Sequence, residues 1–595
     1  MLKLIKIYII CLLVSSFIFS ECMSFDYGDI NNDNQLNIID VISYIDIILN
    51  DNSIIEQADL NNDNNVNIFD VIILIEKILN PLIMDVQINS IDFNFDELLI
   101  KWNKTSNYGF YSYTIYYSNF IDDTVQILST KYDQNDTSLV VKNIILNEQN
   151  FFSVSLKDIT GCELISLEKI YELPYKTYEL DDFGDAIISE FSPDDFKPSI
   201  ECLACHEEHY NEWFSSMHSY TSRSPLFFSY KNETIDKHPQ VGEKFCMQCH
   251  NPVSYLSNID TSEYMNIEQF QDSNLPEVVK DGIGCDVCHT ITGLSSTVFT
   301  QENLAANAEY KMYPLGNIKF GSIQNPEPNE FHASYYLPTY SSSQMCLPCH
   351  DLVIKGKEAE ITFTEWARIP GFSMFDGVSC QDCHMPVKEN GYHSHKFVGV
   401  DIDLSIPLVE NDLKNDVQEL LETSASLSFL YQGQSISDMI SSGSMLSVPV
   451  TVTSNTAHSL PSGTSFNRQV WLEIIISNEN NIIYESGKVF NHEELDYDDS
   501  DLLLFRSIIK DDEGNISNNV TDIGEIDNYS LLAYSSREKV YEIEIPNNII
   551  GAVDVSVRLL FRPFAPSFIL DHHPEFLNNL PIYEIDSINK QILIQ

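Results

Sequence analysis

Between Cys202 and His384 the pattern Cys-x-x-Cys-His occurs five times: Cys202-Leu-Ala-Cys205-His206, Cys246-Met-Gln-Cys249-His250, Cys285-Asp-Val-Cys288-His289, Cys346-Leu-Pro-Cys349-His350 and Cys380-Gln-Asp-Cys383-His384. Two thiols at this spacing can add across the two vinyl groups of one haem, and the imidazole that follows then falls beside the iron as its proximal ligand. Each motif therefore reads as one covalent c-type haem, five haem c in all. Macrocycles in that number would replace much of the usual side-chain core, so this stretch should be short helices and long loops with sparse regular structure. Zinc would need a fourth ligand at each of five places, and disulfides would have no use for the histidine.

The chain is 595 residues long, more than one hydrophobic core can organise, and 43% of its residues are hydrophobic. Its 88 acidic side chains against 33 basic ones give a formal charge of −55, which argues against nucleic acid and anionic membrane surfaces as partners. Haem propionates would add negative charge, so a basic or metal-bearing redox partner fits better than an acidic one. Lys3 and Lys6 precede an apolar run, Ile7 to Phe19, and then Ser20, the form of a secretion signal over residues 1–20. The run is short for a membrane span. Acylation of Cys22 would require a small residue where Glu21 stands, so a cleaved signal without lipid is expected. Export also suits c-type haem attachment, which is completed outside the cytoplasm. The expected location is periplasmic, cell-surface or extracellular, with no transmembrane segment in the mature chain.

Two segments repeat at a thirty-residue period after the signal. They place Asp29, Asn31, Asp33, Gln35, Asn37 and Asp40, and then Asp59, Asn61, Asp63, Asn65, Asn67 and Asp70, at positions 1, 3, 5, 7, 9 and 12 of a loop. Oxygen donors so spaced, with a carbonyl at position 7, are what a hard cation of flexible coordination requires, so two calcium ions are expected. An apolar helix should follow each loop, Val41 to Leu49 and Val71 to Leu79. The pair, residues 26–81, resembles a dockerin, which implies a docking role toward a cohesin-like or surface partner. Asn34 and Asn64 occupy the turn position usual for glycine, where Asn tolerates the left-handed conformation. Ile38-Ile39 and Ile68-Phe69 differ from the small or polar pairs familiar in cohesin recognition.

Over residues 86–175 short alternating strands take over: Leu98 to Trp102, Tyr111 to Tyr117, Leu139 to Lys142 and Phe151 to Leu156. Asn, Asp and Gly turns between them indicate an antiparallel β-sandwich. Trp102, Tyr113 and the Val154-to-Gly161 stretch resemble a fibronectin type III domain, which implies a spacer. Cys162 is expected as an unpaired thiol. Residues 176–199 read as an acidic linker.

The segment that opens the haem region runs from Cys202 through Trp213 to His218 and is expected as one helix beyond the first motif. Together with Gly282-Ile-Gly284 before Cys285, Glu365-Trp366 before the fifth motif, and His395-Lys-Phe397-Val-Gly399, it resembles the multihaem cytochrome c family that includes cytochrome c-554 and its hydroxylamine-oxidoreductase-like relatives. The resemblance spans residues 200–400. It implies that His218, His332, His395 and His458 are distal iron ligands. A fifth distal ligand is not evident; His209, His238 and His393 are the candidates, and an open iron is the alternative. Two axial imidazoles leave an iron able only to exchange electrons, whereas a vacant position admits small molecules.

A helix near Leu413 to Thr423 should lead into a second β-sandwich over residues 415–595. Its strands are expected at Ser447–Thr453, Val470–Ile476, Ile482–Glu485, Val540–Ile545 and Val553–Phe561. The loop Asn455 to Gly463 resembles one that in multihaem relatives sets a histidine, here His458, on a neighbouring haem. His572 and His573 have no supporting spacing, and Asp496 to Asp501 reads as a solvated loop. The fold class expected is multidomain α+β. Three functions follow: an exported electron carrier, a multihaem oxidoreductase acting on a small nitrogen or sulfur compound at an open haem, or a cell-surface docking protein. The first is preferred, as an electron-transfer protein rather than an enzyme with its own substrate, and no catalytic residue is assigned.

Overall fold

A computed structural model describes residues 28–50, 56–61, 63–79, 81–94, 97–107, 109–119, 125–142, 149–159, 161–172, 176, 178–180, 186–239, 244–294, 308–310, 318–327, 329, 331–370, 377–479 and 481–595. The expected signal and Cys22 lie outside them. The chain divides into two units, one of Met1–Pro174 with Pro328–Ala333 and one of Tyr175–Glu327 with Ser334–Gln595.

In the first unit the repeated loops run into the helices Ile38–Asn50 and Ile68–Leu79, which start earlier than the apolar pattern indicates. The extra turn comes from the loops' own polar residues. Asn37 Oδ1 accepts from Ile39 N and Asn67 Oδ1 from Phe69 N, so each Asn caps its helix. Val41, Tyr44, Ala58, Val71 and Leu74 share one small core, which lets two short helices stay folded together. Ile38, Ile42 and Leu49 on one helix, and Ile68, Phe69, Ile72 and Leu79 on the other, stay exposed.

A three-stranded antiparallel sheet (Ile88–Asn94, Glu97–Trp102, Ser138–Lys142) and a five-stranded one (Gln126–Lys131, Phe110–Asn119, Gln149–Asp158, Glu163–Ile165, Lys169–Glu172) complete this unit's described residues. Alternate residues Leu98, Ile100 and Trp102 of the first sheet, and Tyr113, Ile115, Tyr117, Phe152, Val154 and Leu156 of the second, are buried. Trp102 and Tyr113 meet edge-to-face across the sheets at 5.7 Å, and the Tyr113 hydroxyl accepts from Thr105 N at 2.9 Å. Cys162, expected as an unpaired thiol, is disulfide-bonded.

In the second unit the expected linker is structured where it is described. The short 3₁₀ turns Pro193–Asp195 and Ser199–Glu201 carry it, and Phe191 and Phe196 are buried in a core with Phe228, Val253 and Val279. Its acidic composition conceals two aromatic anchors, and Asp195 is tied to Lys176 at 2.7 Å. The helix expected beyond the first motif is broken. Glu207–Ser215 and Met217–Tyr220 are separate helices, because Ser216 is extended and its N–H turns back to the Trp213 carbonyl. The rest of the haem region has helices no longer than Pro225–Lys237 and a few two-stranded hairpins among the described residues.

After the helix Lys414–Glu422 come a three-stranded sheet and a six-stranded one. The first comprises Ala425–Ser428, Met445–Ser454 and Ser536–Glu544; the second is built on Tyr583–Ile594, Gly551–Arg562, Gln469–Asn478 and Asn481–Ser486. Val448, Val450 and Ile543 from one and Leu472, Ile474, Val555 and Val557 from the other share one core. The strand Tyr583–Ile594 has no counterpart in the sequence reading, because its Asp586-to-Gln591 middle is polar although Tyr583, Ile585, Ile592 and Ile594 are buried. Asp499 and Asp501 are anchored rather than merely solvated: Asp499 Oδ2 accepts from Ser486 Oγ, and Asp501 Oδ2 from the Tyr484 hydroxyl.

Candidate functional site

Three motifs lie on one-turn or two-turn helices, Lys244–His250, Cys285–His289 and Cys380–His384. A helical turn brings residues i, i+3 and i+4 to one face, so both thiols and the imidazole of a motif point the same way. The first and fourth motifs instead follow the 3₁₀ turns Ser199–Glu201 and Ser343–Met345.

These elements form one frame used twice. Ser199 Oγ accepts from Cys285 N at 3.1 Å, and Ser343 Oγ from Cys380 N at 3.0 Å. Trp213 Nε1 donates to the Ile283 carbonyl at 2.8 Å, and Trp366 Nε1 to the Val378 carbonyl at 2.7 Å. Both serines stand three residues before a motif, and both carbonyls two residues before its partner. The Cys202 and Cys285 thiols lie within electrostatic reach of one another, as do those of Cys346 and Cys380. The first motif is thus clamped to the third and the fourth to the fifth, while the second lies outside this duplication.

Histidines from distant parts of the chain face three of the proximal imidazoles. Ring centroids lie 6.3 Å apart for His289 and His395 with planes at 19°, 6.3 Å for His384 and His458 at 18°, and 6.2 Å for His350 and His218 at 87°. A metal–imidazole bond of about 2 Å on each side, and roughly another ångström from each nitrogen to its ring centre, puts two axial rings about 6 Å apart. The three pairs therefore have the span that an iron between them requires. Burial pushes His218 and His395 down to about 3 and His250 to about 4. These rings are neutral at ordinary pH, the form that ligates a metal. None of the ten motif cysteines is in a disulfide. Thiols, imidazoles and spacing together fit covalent haem.

His250 differs. The ring stacked on it is that of Phe227, at 4.4 Å and 16°, and its buried Nδ1 has no hydrogen-bond partner. Among the described residues none of the three candidates for a fifth distal ligand faces the His250 ring. His238 Nε2 pairs with Asp522 at 2.8 Å, and His393 Nδ1 hydrogen-bonds the Met385 carbonyl at 2.6 Å. His209 packs against His395 at 4.7 Å and His206 at 6.1 Å; three residues from His206 on the same helical turn, it cannot bracket an iron from the opposite face. His332 is described in the Pro328–Ala333 segment, where its N–H donates to Asn329 Oδ1 and its Nδ1 meets the Ala333 carbonyl at 3.3 Å. His572 faces Glu233, and His573 Nε2 hydrogen-bonds Ser229 Oγ at 3.0 Å, so both dock the C-terminal module.

The outer nitrogens of the proximal rings meet different partners. His289 Nδ1 donates to the Phe320 carbonyl and His384 Nδ1 to the Val398 carbonyl, both at 2.7 Å. His350 Nδ1 lies 3.4 Å from the Glu360 carboxylate. Desolvation opposes a charge on the His350 ring, but Glu360 outweighs it and pushes that ring up to about 9. Phe227, Glu360, Ser199 and Ser343 have no signal in the sequence read alone. The two tryptophans do carry one, since Trp213 and Trp366 each follow the motif that opens a pair.

In the first unit both loops close in the same way. Asp29 accepts from Asp33 N at 3.1 Å and from Asn34 N at 2.7 Å; Asp59 does so from Asp63 N at 3.0 Å and from Asn64 N at 2.6 Å. Asn34 and Asn64 take positive φ of 61° and 63°, as the turn demands. Asp40 and Asp70 are fully buried. Among the described residues no three His, Cys, Asp or Glu side chains converge as a metal cluster.

No curated protein matches the chain. A penta-haem cytochrome c552 from Thermochromatium tepidum aligns at 19% identity over 67% of this chain and 100% of its own, with a TM-score of 0.47. The spore cortex lytic enzyme SleM of Clostridium perfringens aligns at 15% identity over 15% of this chain and 27% of its own, with a TM-score of 0.13. Neither likeness is high enough to argue from. Residues 201–290, which hold the first three motifs, match the family model for cytochrome c554 and c-prime, and with the motif geometry this supports a multihaem c-type cytochrome.

Proposed function

We propose that this chain is an exported electron-transfer cytochrome carrying five covalent haems, docked through a calcium-loaded module at residues 26–81. The observation that carries the reading is the set of three imidazole pairs at 6.2 to 6.3 Å, assembled from the first, third, fourth and fifth motif regions and the C-terminal module. Haem iron held between two imidazoles supplies one-electron exchange without binding substrate. The protein's part is to hold the sites together. The sulfurs of Cys202 and Cys285, of Cys346 and Cys380, and of Cys349 and Cys249 lie near one another, so neighbouring attachment points are side by side. His332 is carried as a further proposed distal ligand. The exposed apolar stripes on Ile38–Asn50 and Ile68–Leu79 support docking to a cohesin-like or surface partner.

His250 favours a second reading. Its ring is covered by Phe227 and faces no imidazole among the described residues, so the second motif is the place for an open iron and for chemistry on a small nitrogen or sulfur compound. The test is a haem count with a carbon monoxide titration of the reduced, purified protein. Five haems resistant to acid-acetone and one bound carbon monoxide are expected. Extractable pigment, or zinc in place of iron, overturns the cytochrome reading; no bound carbon monoxide removes the open site.

A further inference from the structure

We propose that Glu360 is a positioning residue for the haem of the fourth motif, lowering its reduction potential through His350; this rests on the pentahaem reading above. The short hairpin of Leu352–Ile354 and Lys357–Glu360 follows directly on His350 and returns the chain to that ring, so that the carboxylate stands 3.4 Å from Nδ1. His289 and His384 meet neutral carbonyls at the same position, and buried His250 meets nothing. A carboxylate on the outer nitrogen makes an imidazole a stronger donor, and a stronger axial donor favours the oxidised iron. The facing ring does not compensate, because His218 Nδ1 is also buried without a partner.

The C-terminal module shields this contact. Glu365 Oε2 accepts from Ser459 N at 3.0 Å and Ser462 Oγ at 2.6 Å, and Thr362 Oγ1 hydrogen-bonds Ser462 Oγ at 2.8 Å. At Gly463, where φ is +68°, an added Cβ would lie 3.5 Å from Glu360 Oε1, so loop backbone covers the carboxylate and leaves its side chain 19% exposed. The Arg468 guanidinium, within electrostatic reach of Glu360, is itself held by Asp401. The loop thus shelters the Glu360 side of the contact, while the His350 side chain is 48% exposed. The same loop carries His458 to His384, so one loop serves two neighbouring irons.

The ring planes at this site, 87° apart, distinguish it from the third and fifth, at 19° and 18°. Perpendicular axial imidazoles leave the iron orbitals nearly degenerate and give a large-g low-spin resonance, which His218→Met assigns by abolishing it. Following that resonance in a redox titration of holoprotein, Glu360→Gln should lower the oxidised-to-reduced ratio at fixed poise at least tenfold, a rise of about 59 mV for one electron. Glu358→Gln removes an equal charge from the same strand, but from an exposed partner of Arg368, and should move the ratio by no more than about twofold. An unmoved Glu360→Gln, or equal shifts in both variants, overturns the role. A preparation without five covalent haems overturns the pentahaem reading instead, and is recognised before any potential is measured.

Discussion

The imidazoles of His384 and His458 lie 6.3 Å apart with their planes at 18°, although one ends the last motif and the other sits in a loop between strands of the C-terminal module. Thr456 Oγ1 donates to the His458 carbonyl at 2.6 Å, and His458 Nδ1 meets the Ser459 carbonyl at 3.0 Å, so the loop fixes the ring from its own backbone. The module is thereby more than a cap.

On the pentahaem proposal, His458→Ala should open the iron that His384 would hold while leaving the motif intact. Carbon monoxide bound by the reduced protein should rise by one equivalent per chain over the wild type. An unchanged count would place His458 outside the array.

The duplicated frame predicts matched costs. Trp213→Phe and Trp366→Phe keep a ring in place but leave the part-buried hydrogen bond to the Ile283 or Val378 carbonyl without its donor. Each should destabilise the holoprotein by about 1 to 2 kcal/mol, read as a lower denaturant midpoint at constant slope. Markedly unequal losses would show that the two motif pairs are not mechanically equivalent.

What could be read from the sequence follows the range of the interaction that fixes it. Motif thiols and proximal histidines are local, and five residues suffice to state them. Calcium-loop positions are local too, and Asn34 and Asn64 take the left-handed turn expected of them. Distal histidines come from distant segments, and only a family resemblance singled them out; the geometry faces His218, His395 and His458 toward proximal rings. Phe227 against His250 and Glu360 against His350 are invisible to spacing, because an aromatic in a helix and an acid in a hairpin are ordinary in sequence. Composition misled twice: acidic residues concealed the buried Phe191 and Phe196, and polar ones concealed Tyr583–Ile594.

Loading of the loop-helix pair should govern the first unit. Asp29, Asp40, Asp59 and Asp70 are buried carboxylates that accept hydrogen bonds from backbone N–H groups, an arrangement that a cation stabilises strongly. Removing calcium from the full chain should expose residues 28–79 to protease while haem absorbance stays unchanged. Asp40→Asn with Asp70→Asn should weaken calcium binding about tenfold or more by calorimetric titration. Equal protection with and without chelator would dismiss the calcium reading.

Docking of the C-terminal module on the haem region should depend on pH. His572 Nε2 lies 3.7 Å from Glu233 Oε2, joining the helices Pro566–His572 and Pro225–Lys237. The His572 contact, aided by Lys237 and opposed by desolvation, pulls Glu233 down to about 2, and the same contact raises His572. The lowered carboxylate contributes fully above its ordinary 4.5 and loses that contribution as pH falls toward 2. The raised imidazole contributes fully below its ordinary 6.5 and loses it as pH climbs through the folded value. Both are complete only between those ordinary values. His572→Gln should therefore cost about 1 kcal/mol or less near pH 5.5 beyond what it costs near pH 9, the excess being the ion pair and the remainder packing on Phe568 and Tyr230. Thermal unfolding of both proteins at the two pH values measures the difference, and a cost that does not change with pH would mean the pair holds the helices by shape alone.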